Sequence, residues 1–560
     1  MTERYAGTGV TPLSGVGRAT WYDPGEFEYD RDADDPAEQR ERFEAARDVA
    51  LDAIATARDR ATERVGEEEA AVFDAHREFL NDPQIETTVA DHVEAGRTAE
   101  AAVEAAFGGH IEQFESMDGR MAERADDLRD VRDRLLGALV GAEAADLGAL
   151  PEGTVLLAER LTPSDTAQLD STVVAGFATV RGGRTSHAAI FARSLAIPAV
   201  VGVGDALEAV PEDTTVVIDG SAGEVVVDPD DETRRRAETA RDVEVIRESV
   251  TTEDGTHVEV AANVGTAAEV EPAMRQGADG VGLFRTEFLF LDRSEPPDEA
   301  EQVEVYRDAL DAFPDGRVVV RTLDVGGDKP IPYLDAEPEA NPFLGERGIR
   351  RSLGPDAELF ETQLRALLRA AANGAGDLAV MFPLVATVEE LDAALDALDA
   401  ARVALESEGI DCGDPEVGVM IETPAAVFAA PAMADRVSFL SIGTNDLAQY
   451  VMAADRENER VAHLHDPLHP PVLRAIARTV EAGRDGDAWV GMCGEMAGDP
   501  AYTDLLLGLG LEELSMSAVT VPAVKARVRD ADLDRTRSLA NRCLDADTRA
   551  KVVEYVSNYQ

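Results

Sequence analysis

From Thr256 to the carboxyl terminus, short β-branched segments alternate with amphipathic helical segments, and this alternation limits the fold more than any other feature of the chain. Two of the helical segments cover residues 359–374 and 388–409. Eight segments have the composition of strands: HVEVAANV, ADGVGLFRTE, RVVVRTLDV, LAVMFPLV, VGVMIE, VSFLSIGT, WVGMCGE and LEELSMS. About 300 residues of this pattern predict a (β/α)8 barrel, with an open, doubly wound α/β sheet as the alternative.

The amino-terminal part of the chain combines an α/β pattern with a purely helical one. In residues 36–141 apolar side chains recur at spacings of three and four, which predicts an antiparallel bundle of about four helices. Residues 10–22 alternate like a strand, and five later runs are β-branched: 155–159, 171–180, 199–203, 214–220 and 224–228. If residues 10–22 pair with the later runs, the bundle is an insertion into one α/β domain. The charged segment 230–250 fits a linker helix.

The charge of the chain restricts its partners. The sequence has 52 lysine and arginine residues against 111 aspartate and glutamate residues, a net charge of −59. This charge argues against nucleic acid and anionic membranes as partners. Salt screens such self-repulsion, because the Debye length near 1 M is about 3 Å, so we expect a halophilic protein. The scarcity of lysine has a second explanation in GC-rich codon usage.

The cysteines and the hydropathy indicate where the protein resides. Cys412, Cys493 and Cys543 are too few for a disulfide framework and fit a reducing compartment. The amino terminus has no apolar signal region, and no 18-residue apolar run occurs in the sequence. We therefore expect a soluble, cytoplasmic protein without membrane insertion.

Residues 182–202 place a histidine at the start of a helix. Two glycines allow a tight turn, Thr185 and Ser186 are N-cap residue types, and His187 follows in the first helical turn beside Arg184 in the sequence. Free N–H groups and the positive end of the helix dipole favour a phosphate there. A neutral imidazole is a nucleophile near pH 7, so we predict that His187 accepts a phosphoryl group. The alternative is a hydrogen-bonded structural histidine.

Two arginines end consecutive predicted barrel strands. Arg285 follows GLF and Arg321 follows VVV, and arginine recognises phosphate or carboxylate in a planar, bidentate manner. The alternative is an arginine–carboxylate pair at the barrel rim, with Glu287 and Asp324 as candidates. Two such arginines in a strongly acidic chain favour an anion site.

Carboxylates and an amide follow the next strands. Glu422 ends VGVMIE, and Asn445 and Asp446 follow a later strand after Gly443. Two carboxylates from neighbouring strand ends form a hard-oxygen site that suits Mg²⁺, which keeps its other positions for water and substrate oxygens. The Asn445 amide can donate to a phosphate, and Arg456 adds a third guanidinium.

Cys493 ends a further predicted strand, in WVGMCGEMAG. A thiol at this position can act as an acid or base on carbon or oxygen. The alternative is a small buried apolar residue, which is the more common role of cysteine. The strand-end position, shared with the other candidate groups, favours the chemical role.

Taken together, these segments resemble Enzyme I of the phosphoenolpyruvate:sugar phosphotransferase system. The resemblance covers nearly the whole chain and includes the helical block, in residues 67–85 and 121–136. The segments that carry it, in order, are GGRTSHAAIFARSLAIPAVVG, GLFRTEFLFLDR, VRTLDVGGDKP, NPFLGERGIR, IETPAA, SIGTNDLAQY and GMCGEMAGD.

The resemblance implies a role for each candidate residue. It identifies His187 as the phosphorylated histidine and Cys493 as the proton donor. The substrate contacts that it implies are Arg285, Arg321, Asn445, Asp446 and Arg456, with Lys329 as a further match. The Mg²⁺ ligands that it implies are Glu422 and Asp446. Glu346 departs from the family pattern, in which an aromatic or apolar residue is common, and adds a charge near the site.

The resemblance also implies a domain organisation and partners. A swivelling phosphohistidine α/β domain covers residues 1–30 and 145–229, with an inserted helical HPr-binding subdomain at 31–144. A linker helix at 230–250 leads to a (β/α)8 domain at 251–560 that binds phosphoenolpyruvate and forms a homodimer. The implied reaction transfers the phosphoryl group of phosphoenolpyruvate to His187 and then to the carrier protein HPr, and releases pyruvate. This reaction is the first step of sugar uptake by the phosphotransferase system.

Two alternatives use the same scaffold. A relative of phosphoenolpyruvate synthase without the ATP-binding domain would share the phosphohistidine and barrel modules, but not the helical insertion. A regulatory phosphorelay protein would use its phosphorylation state as the output. All candidate chemical groups are present in the sequence, so we favour the enzyme.

Overall fold

The structure is a computed structural model, and it describes all of the chain except residues 1, 12, 23–26, 66–69, 116–119, 143–146, 184, 185, 196, 221, 242, 243, 292, 327–330, 332, 335–338, 457, 459 and 560. The chain folds into two compact units, Met1–Asp242 and Val243–Gln560. Each unit is built around its own β-sheet.

The sheet of the first unit has eight described strands. They are β1 (Glu3–Ala6), β2 (Thr8–Gly9), β3 (Ser14–Tyr22), β4 (Thr154–Ala158), β5 (Val174–Thr179), β6 (Ala199–Val201), β7 (Thr215–Asp219) and β8 (Glu224–Val227). Their order across the sheet is β1-β8-β7-β3-β4-β5-β6-β2. Because β4, β5 and β6 are buried along their whole length, both faces of the sheet carry apolar cores.

Five described helices lie between β3 and β4 in the chain. They are α1 (Pro36–Val65), α2 (Val72–Leu80), α3 (Pro83–Glu94), α4 (Ala99–Glu115) and α5 (Arg120–Val140). Strand β3 pairs in parallel with β4 and antiparallel with β7, so the helical block is an insertion into one α/β sheet. This confirms the predicted fold class, with one helix more than the estimate. Phe43, Phe73, Phe107 and Leu128 belong to the apolar core of the bundle.

Three more described helices belong to the first unit: α6 (Pro163–Thr166), α7 (His187–Ser194) and α8 (Asp231–Arg241). Helix α8 is shorter than the predicted linker helix over 230–250, and it does not stand apart from the sheet. Its Ala237 packs with Val217 and Val226 of β7 and β8. The charged composition of this segment predicted a helix exposed to solvent, but Ala237 attaches the helix to the sheet. The domain boundaries given above stay a prediction.

The second unit is a closed barrel of eight parallel strands. These are β10 (His257–Val264), β11 (Val281–Arg285), β12 (Arg317–Arg321), β13 (Asp377–Phe382), β14 (Glu416–Ile421), β15 (Phe439–Ile442), β16 (Trp489–Met492) and β17 (Glu513–Met516). Each strand pairs with the next, and β17 closes the ring by pairing with β10. The two-residue strand β9 (Val250–Thr251) adds antiparallel to β10. The predicted barrel is thus confirmed, and the open sheet is wrong.

Helices surround this barrel, and the apolar side chains between the two layers form the largest core. The described helices are α9 (Val270–Arg275), α10 (Glu299–Ala312), α11 (Ile349–Ser352), α12 (Ala357–Asn373), α13 (Val388–Glu408), α14 (Pro424–Ala434), α15 (Thr444–Met452), α16 (Pro470–Asp485), α17 (Thr503–Leu509), α18 (Val521–Arg529), α19 (Leu533–Leu544) and α20 (Arg549–Ser557). Within the described ranges, every helix is too short or too polar to span a bilayer.

A buried lysine ties the start of the second unit to its barrel. Lys525 on α18 is fully buried, and its ammonium group donates to Asp279 at 2.7 Å and to the carbonyl of Glu248 at 3.0 Å. Removal of one partner of a buried ion pair leaves the other charge uncompensated. Lysine is scarce in this chain, and this one is buried and paired instead of lying on the surface.

We expect Lys525→Met to destabilise the second unit by about 3–5 kcal/mol, because Asp279 loses its cationic partner in a buried position. Thermal unfolding followed by calorimetry in high salt measures the loss, and Lys551→Met at an exposed position is the matched control. Equal midpoints for the two variants would contradict this reading of the buried pair.

Candidate active site

The predicted phosphoryl acceptor begins a helix, as expected. His187 is the first residue of α7, and the hydroxyl of Ser186, its N-cap residue, accepts from the N–H of Ala189 at 3.4 Å. The same hydroxyl donates to the carbonyl of Gly183 at 2.8 Å. The predicted neighbours Arg184 and Thr185 lie outside the described residues. The helix start orients N–H groups beside the imidazole, which is favourable for an anion.

The helical bundle contributes a carboxylate to this histidine. Nδ1 of His187 lies 3.4 Å from Oδ1 of Asp127 on α5, with the two side chains 26% and 8% exposed. The carboxylate lies on the Nδ1 side of the ring, so Nε2 is the nitrogen suited to react. The sequence analysis did not identify Asp127, since it lies far from His187 in the chain and only folding brings the two together.

A second histidine contacts the same carboxylate. His76 on α2 is fully buried, with Nε2 3.5 Å from Oδ1 of Asp127 and Nδ1 3.6 Å from Oδ2 of Asp130. His76 shares the buried face of α2 with Phe73 and Leu80. A histidine in an apolar stripe was the only available signal that polar groups meet there.

We expect Asp127→Asn to slow phosphorylation of His187 by about 10- to 100-fold, because a neutral amide neither stabilises a positively charged ring nor fixes its tautomer. Rapid-quench measurement of the labelled protein gives the rate. Asp126→Asn on the same helix, at a partly exposed position, is the control. A wild-type rate in Asp127→Asn would remove the carboxylate from the account.

The barrel brings the remaining predicted residues to the carboxyl ends of its strands. Arg285 and Arg321 are direct register partners on β11 and β12. Glu422 and Cys493 directly follow β14 and β16. Asn445 and Asp446 lie in the first turn of α15, just after β15, and Arg456 follows the end of that helix. The carboxyl end of such a barrel is where its enzymes place their chemistry. The further match Lys329 lies outside the described residues.

Arg321 forms ion pairs with Glu287 and Asp324, as the alternative interpretation of the strand-end arginines predicts. Its guanidinium lies 2.8 Å from Glu287 and 3.2 Å from Asp324, and the side chain is 9% exposed. Burial by itself would lower the pKa of Arg321, but Glu287, then Asp324 and Glu422, raise it above its usual value. The two carboxylates thus hold a permanent cation at the barrel mouth, in a fixed orientation.

Arg285 is held differently from Arg321. It is half-buried and stacks over the ring of Phe288 at 5.0 Å, and it has no ion pair with any residue that the structure describes. Its Nε is buried without a hydrogen-bond partner among those residues. A guanidinium in this state is suited to bind an anion.

Arg347 is a cation of the mouth that the sequence analysis did not assign. It is 5% exposed, lies 3.3 Å from Asp324 and stacks on Phe343, which Arg456 also contacts. Its place in NPFLGERGIR, one of the segments that carry the family resemblance, was the available signal in the sequence. Glu346 lies 3.6 Å from Arg351 and its side chain is 54% exposed, so its charge faces solvent.

Two carboxylates at the mouth raise the question of a metal ion. Burial, then Asp446 and Asp324, raise the pKa of Glu422 to about 8. Glu422 accepts from the N–H of Leu384, and Asp446 lies 3.2 Å from Arg456. Among the described residues no group of three or more histidine, cysteine or carboxylate side chains is placed to hold a metal. Two mutually repelling carboxylates nevertheless fit Mg²⁺, which binds through one or two carboxylates and keeps several waters.

Asn445 is oriented by its surroundings. Its Oδ1 accepts from the N–H of Glu495 at 3.3 Å, and its carbonyl oxygen lies 2.7 Å from Nε2 of His465. With Oδ1 occupied, the amide nitrogen is the end that can donate to a substrate oxygen.

Cys493 keeps its proton. Burial, with smaller contributions from Glu513 and Glu422, raises the pKa of its thiol to about 12, although Ser441 and Arg321 oppose the shift. A thiol in this state is an acid and not a nucleophile at neutral pH. This arrangement suits the predicted proton donor.

Comparison with known proteins gives matches along the whole chain. Family models match residues 6–124 as "PEP-utilising enzyme, N-terminal", residues 150–223 as "PEP-utilising enzyme, mobile domain", and residues 239–533 as "PEP-utilising enzyme, PEP-binding domain". His187 lies in the second match, and the barrel-mouth residues lie in the third.

Full-length relatives agree with these matches. A phosphoenolpyruvate-protein phosphotransferase of Haloferax volcanii is 62% identical, with 100% of each chain covered. Two proteins of the same name, from Listeria innocua and Staphylococcus carnosus, are each 44% identical. The Listeria innocua match covers 92% of each chain, and the Staphylococcus carnosus match covers 90% of this chain and 89% of the relative.

Proposed function

Because the chain belongs to the phosphoenolpyruvate-protein phosphotransferase family, we propose that His187 carries the phosphoryl group from phosphoenolpyruvate to a carrier protein of the HPr type. The enzyme is a transferase that uses phosphoenolpyruvate as donor. One observation supports this assignment of residues most strongly. Arginines and carboxylates converge at one barrel mouth, within the segment that matches the PEP-binding domain.

The first step is binding of a trianionic substrate by a chain whose net charge is −59. We assign this to Arg285, Arg321 and Arg456, with the Asn445 amide and Asp446 in the first turn of α15. Guanidinium groups in a partly buried site attract phosphate and carboxylate far more strongly than the distant surface acids repel them, because salt screens the distant charges.

Glu422 and Asp446 are the residues that would hold Mg²⁺. When bound, the ion neutralises charge on phosphate and enolate oxygens. Burial, then Asp446 and Asp324, raise the pKa of Glu422, and this supports the role, since a cation between the two carboxylates would compensate their buried negative charge.

The second step is attack of His187 on phosphorus. Nε2 forms a bond to phosphorus while the bond from phosphorus to the enol oxygen of the substrate breaks. The ring becomes cationic as it is phosphorylated, and Asp127 beside Nδ1 offsets that charge. The leaving group is the enolate of pyruvate, whose oxygen faces the arginines.

The third step is protonation of the enolate carbon. The Cys493 thiol gives its proton to the methylene carbon, which forms the methyl group of pyruvate and leaves a thiolate. The high pKa of this thiol supports the assignment, because the proton is present at the working pH.

The last step is transfer to the carrier. His187 must meet phosphoenolpyruvate first and the carrier protein second, so we expect the segment 230–250 to act as the hinge and the helical bundle to bind the carrier. Use in sugar uptake, a homodimer formed through the barrel domain, and a cytoplasmic location belong to the same proposal.

Incubation with labelled phosphoenolpyruvate and Mg²⁺ in high salt tests this proposal. We expect one labelled phosphoryl group for each chain and one pyruvate released with it. Labelling by ATP in place of phosphoenolpyruvate would instead favour a relative of phosphoenolpyruvate synthase. Addition of candidate carrier proteins separates use in sugar uptake from a regulatory phosphorelay.

A further inference from the structure

A carboxyl group lies inside the barrel, below the mouth, and the reaction described so far does not use it. Glu513 at the start of β17 is 2% exposed, and its Oε1 has no hydrogen-bond partner among the described residues. Barrel interiors are normally filled with branched apolar side chains. A buried carboxyl group with one oxygen left without a partner is costly in such a place unless the group is neutral.

The neighbouring strands leave room for this side chain. A Cβ atom at Gly282 on β11 would overlap Oε1 of Glu513, and one at Gly491 on β16 would overlap Oε2. Both positions need glycine because the carboxyl group passes directly over their Cα atoms. Three strands of the barrel are therefore shaped around Glu513.

The carboxyl group lies close to Cys493 along β16, because it covers Gly491 of that strand and Cys493 directly follows the strand's last residue. Cys493 follows Gly491 by two residues, so the two positions lie on the same face of the strand. Beyond the effect of burial, Glu513 raises the pKa of the thiol and Ser441, the register partner of Gly491, lowers it, while the thiol itself lies 3.9 Å from the carbonyl oxygen of Ile442. Because the Glu513 carboxyl group covers Gly491, it lies only two residues along the strand from the proposed proton donor.

Glu513 is the first residue of β17, so it also lies near the amino ends of the strands. Glu259 on β10 is its register partner, and Arg317 lies 3.1 Å from Glu259. Burial, then Glu259, raise the pKa of Glu513 well above its usual value, while Arg317 and a backbone N–H oppose the shift. Glu259 is 17% exposed, so protons from solvent can reach the pair at this end of the barrel.

We infer that Glu513 returns a proton to Cys493 from the barrel interior after each turnover. The inference rests on the proposed donor role of Cys493. When the enolate takes the thiol proton, a thiolate remains below the bound product. The Glu513 carboxylic acid then gives its proton to that sulfur and becomes a carboxylate, and Glu259 passes a solvent proton back to it. No other reactant is needed. Glu513 acts on the reaction only through Cys493, as a positioning residue.

Two isotope exchanges on the full-length protein separate this role from a structural one. Transfer of carbon label from pyruvate into phosphoenolpyruvate needs only His187 and one proton that moves between Cys493 and the substrate. Entry of deuterium from D₂O into the methyl group of pyruvate also requires Cys493 to exchange its proton with solvent. Both are measured in one sample that contains phosphoenolpyruvate, pyruvate and Mg²⁺.

We expect Glu513→Gln to keep carbon-label exchange near the wild-type rate and to lower deuterium entry for each exchange by at least about 10-fold. Glu513→Asp, which keeps an acid, restores part of the deuterium entry. Glu416→Gln is the control, since Glu416 also contacts Arg317 but its side chain is 46% exposed. It leaves both exchanges unchanged.

An unchanged ratio of deuterium entry to label exchange in Glu513→Gln overturns the inference. A parallel fall of both exchanges in the glutamine and aspartate variants overturns it as well, because it indicates a structural role. If Cys493→Ala keeps wild-type deuterium entry, the donor role of Cys493 fails first, and the proton-return role fails with it. If phosphoryl labelling of His187 is absent in the wild type, the proposed function itself is wrong.

Discussion

His187→Ala is expected to abolish phosphorylation of the protein by phosphoenolpyruvate, with a loss of at least about 10⁴-fold in pyruvate release. In the proposed reaction the imidazole nitrogen is the atom to which phosphorus bonds, and among the described residues of the first unit no side chain beside it can take its place. Asp127 is an acceptor without nucleophilic nitrogen, and His76 is fully buried. Rapid quench with labelled phosphoenolpyruvate in high salt measures the effect.

His110→Ala, on α4 of the same unit, is the matched control and is expected to label like the wild type. Binding of phosphoenolpyruvate is expected to persist in His187→Ala, because the arginines that we assign to it belong to the barrel. Label that survives in His187→Ala would place the phosphoryl group on another residue.

Cys493→Ala is expected to slow pyruvate formation by about 10²- to 10⁴-fold, the usual contribution of a positioned general acid, with little change in phosphoenolpyruvate binding. Its methyl group fills much of the space of the thiol but carries no proton. Stopped-flow detection of pyruvate and equilibrium binding of phosphoenolpyruvate give the two quantities. Cys412→Ala, at a partly exposed position, is the control.

The pH dependence of alkylation provides a second check on Cys493. Because burial raises the pKa of this thiol to about 12, its thiolate fraction is very small near neutral pH and increases as the pH rises towards that value. We expect iodoacetamide to modify Cys493 slowly at pH 8 and faster with each rise in pH. Equal losses of binding and turnover in Cys493→Ala, or rapid alkylation at neutral pH, would remove the proton-donor role.

The sequence alone predicted most of the strand and helix content, because the relevant signals are local. The eight barrel segments each match one observed strand, although β13 and β14 begin one residue earlier than predicted, and the turn before His187 leads into a helix as its cap residues indicate. The strands β1 and β2 were missed. They are short edge strands without a buried side chain, so hydropathy gives them no alternation.

The contacts that orient the site could not be predicted in the same way. The order of polar residues at strand ends indicated which groups meet at the mouth, since parallel strands bring their carboxyl ends together. It did not distinguish Arg321, held by two carboxylates, from Arg285, which has no ion pair with the described residues. The contact of Asp127 with His187 joins an inserted bundle to the α/β sheet and depends on tertiary packing alone.

The acidic surface and the anionic substrate are compatible for a related reason. A net charge of −59 is a sum over the chain, whereas a site is governed by the charges within a few ångströms of it. Three of the cations at the mouth, Arg321, Arg347 and Arg456, each lie within 3.3 Å of an aspartate or glutamate oxygen. These acids orient the arginines, and we expect Arg285, which has no ion pair with the described residues, together with a bound Mg²⁺ to supply the positive charge that the substrate neutralises.

A chase of labelled protein with a carrier tests the central claim most directly. Wild-type protein is labelled with phosphoenolpyruvate and Mg²⁺ in concentrated KCl, freed of substrate, and mixed with purified HPr. We predict that the label leaves His187 and appears on HPr in equal amount, while His187→Ala, treated identically, transfers none. Label that stays on the wild-type protein, or that reaches HPr from the His187→Ala protein, would contradict the account.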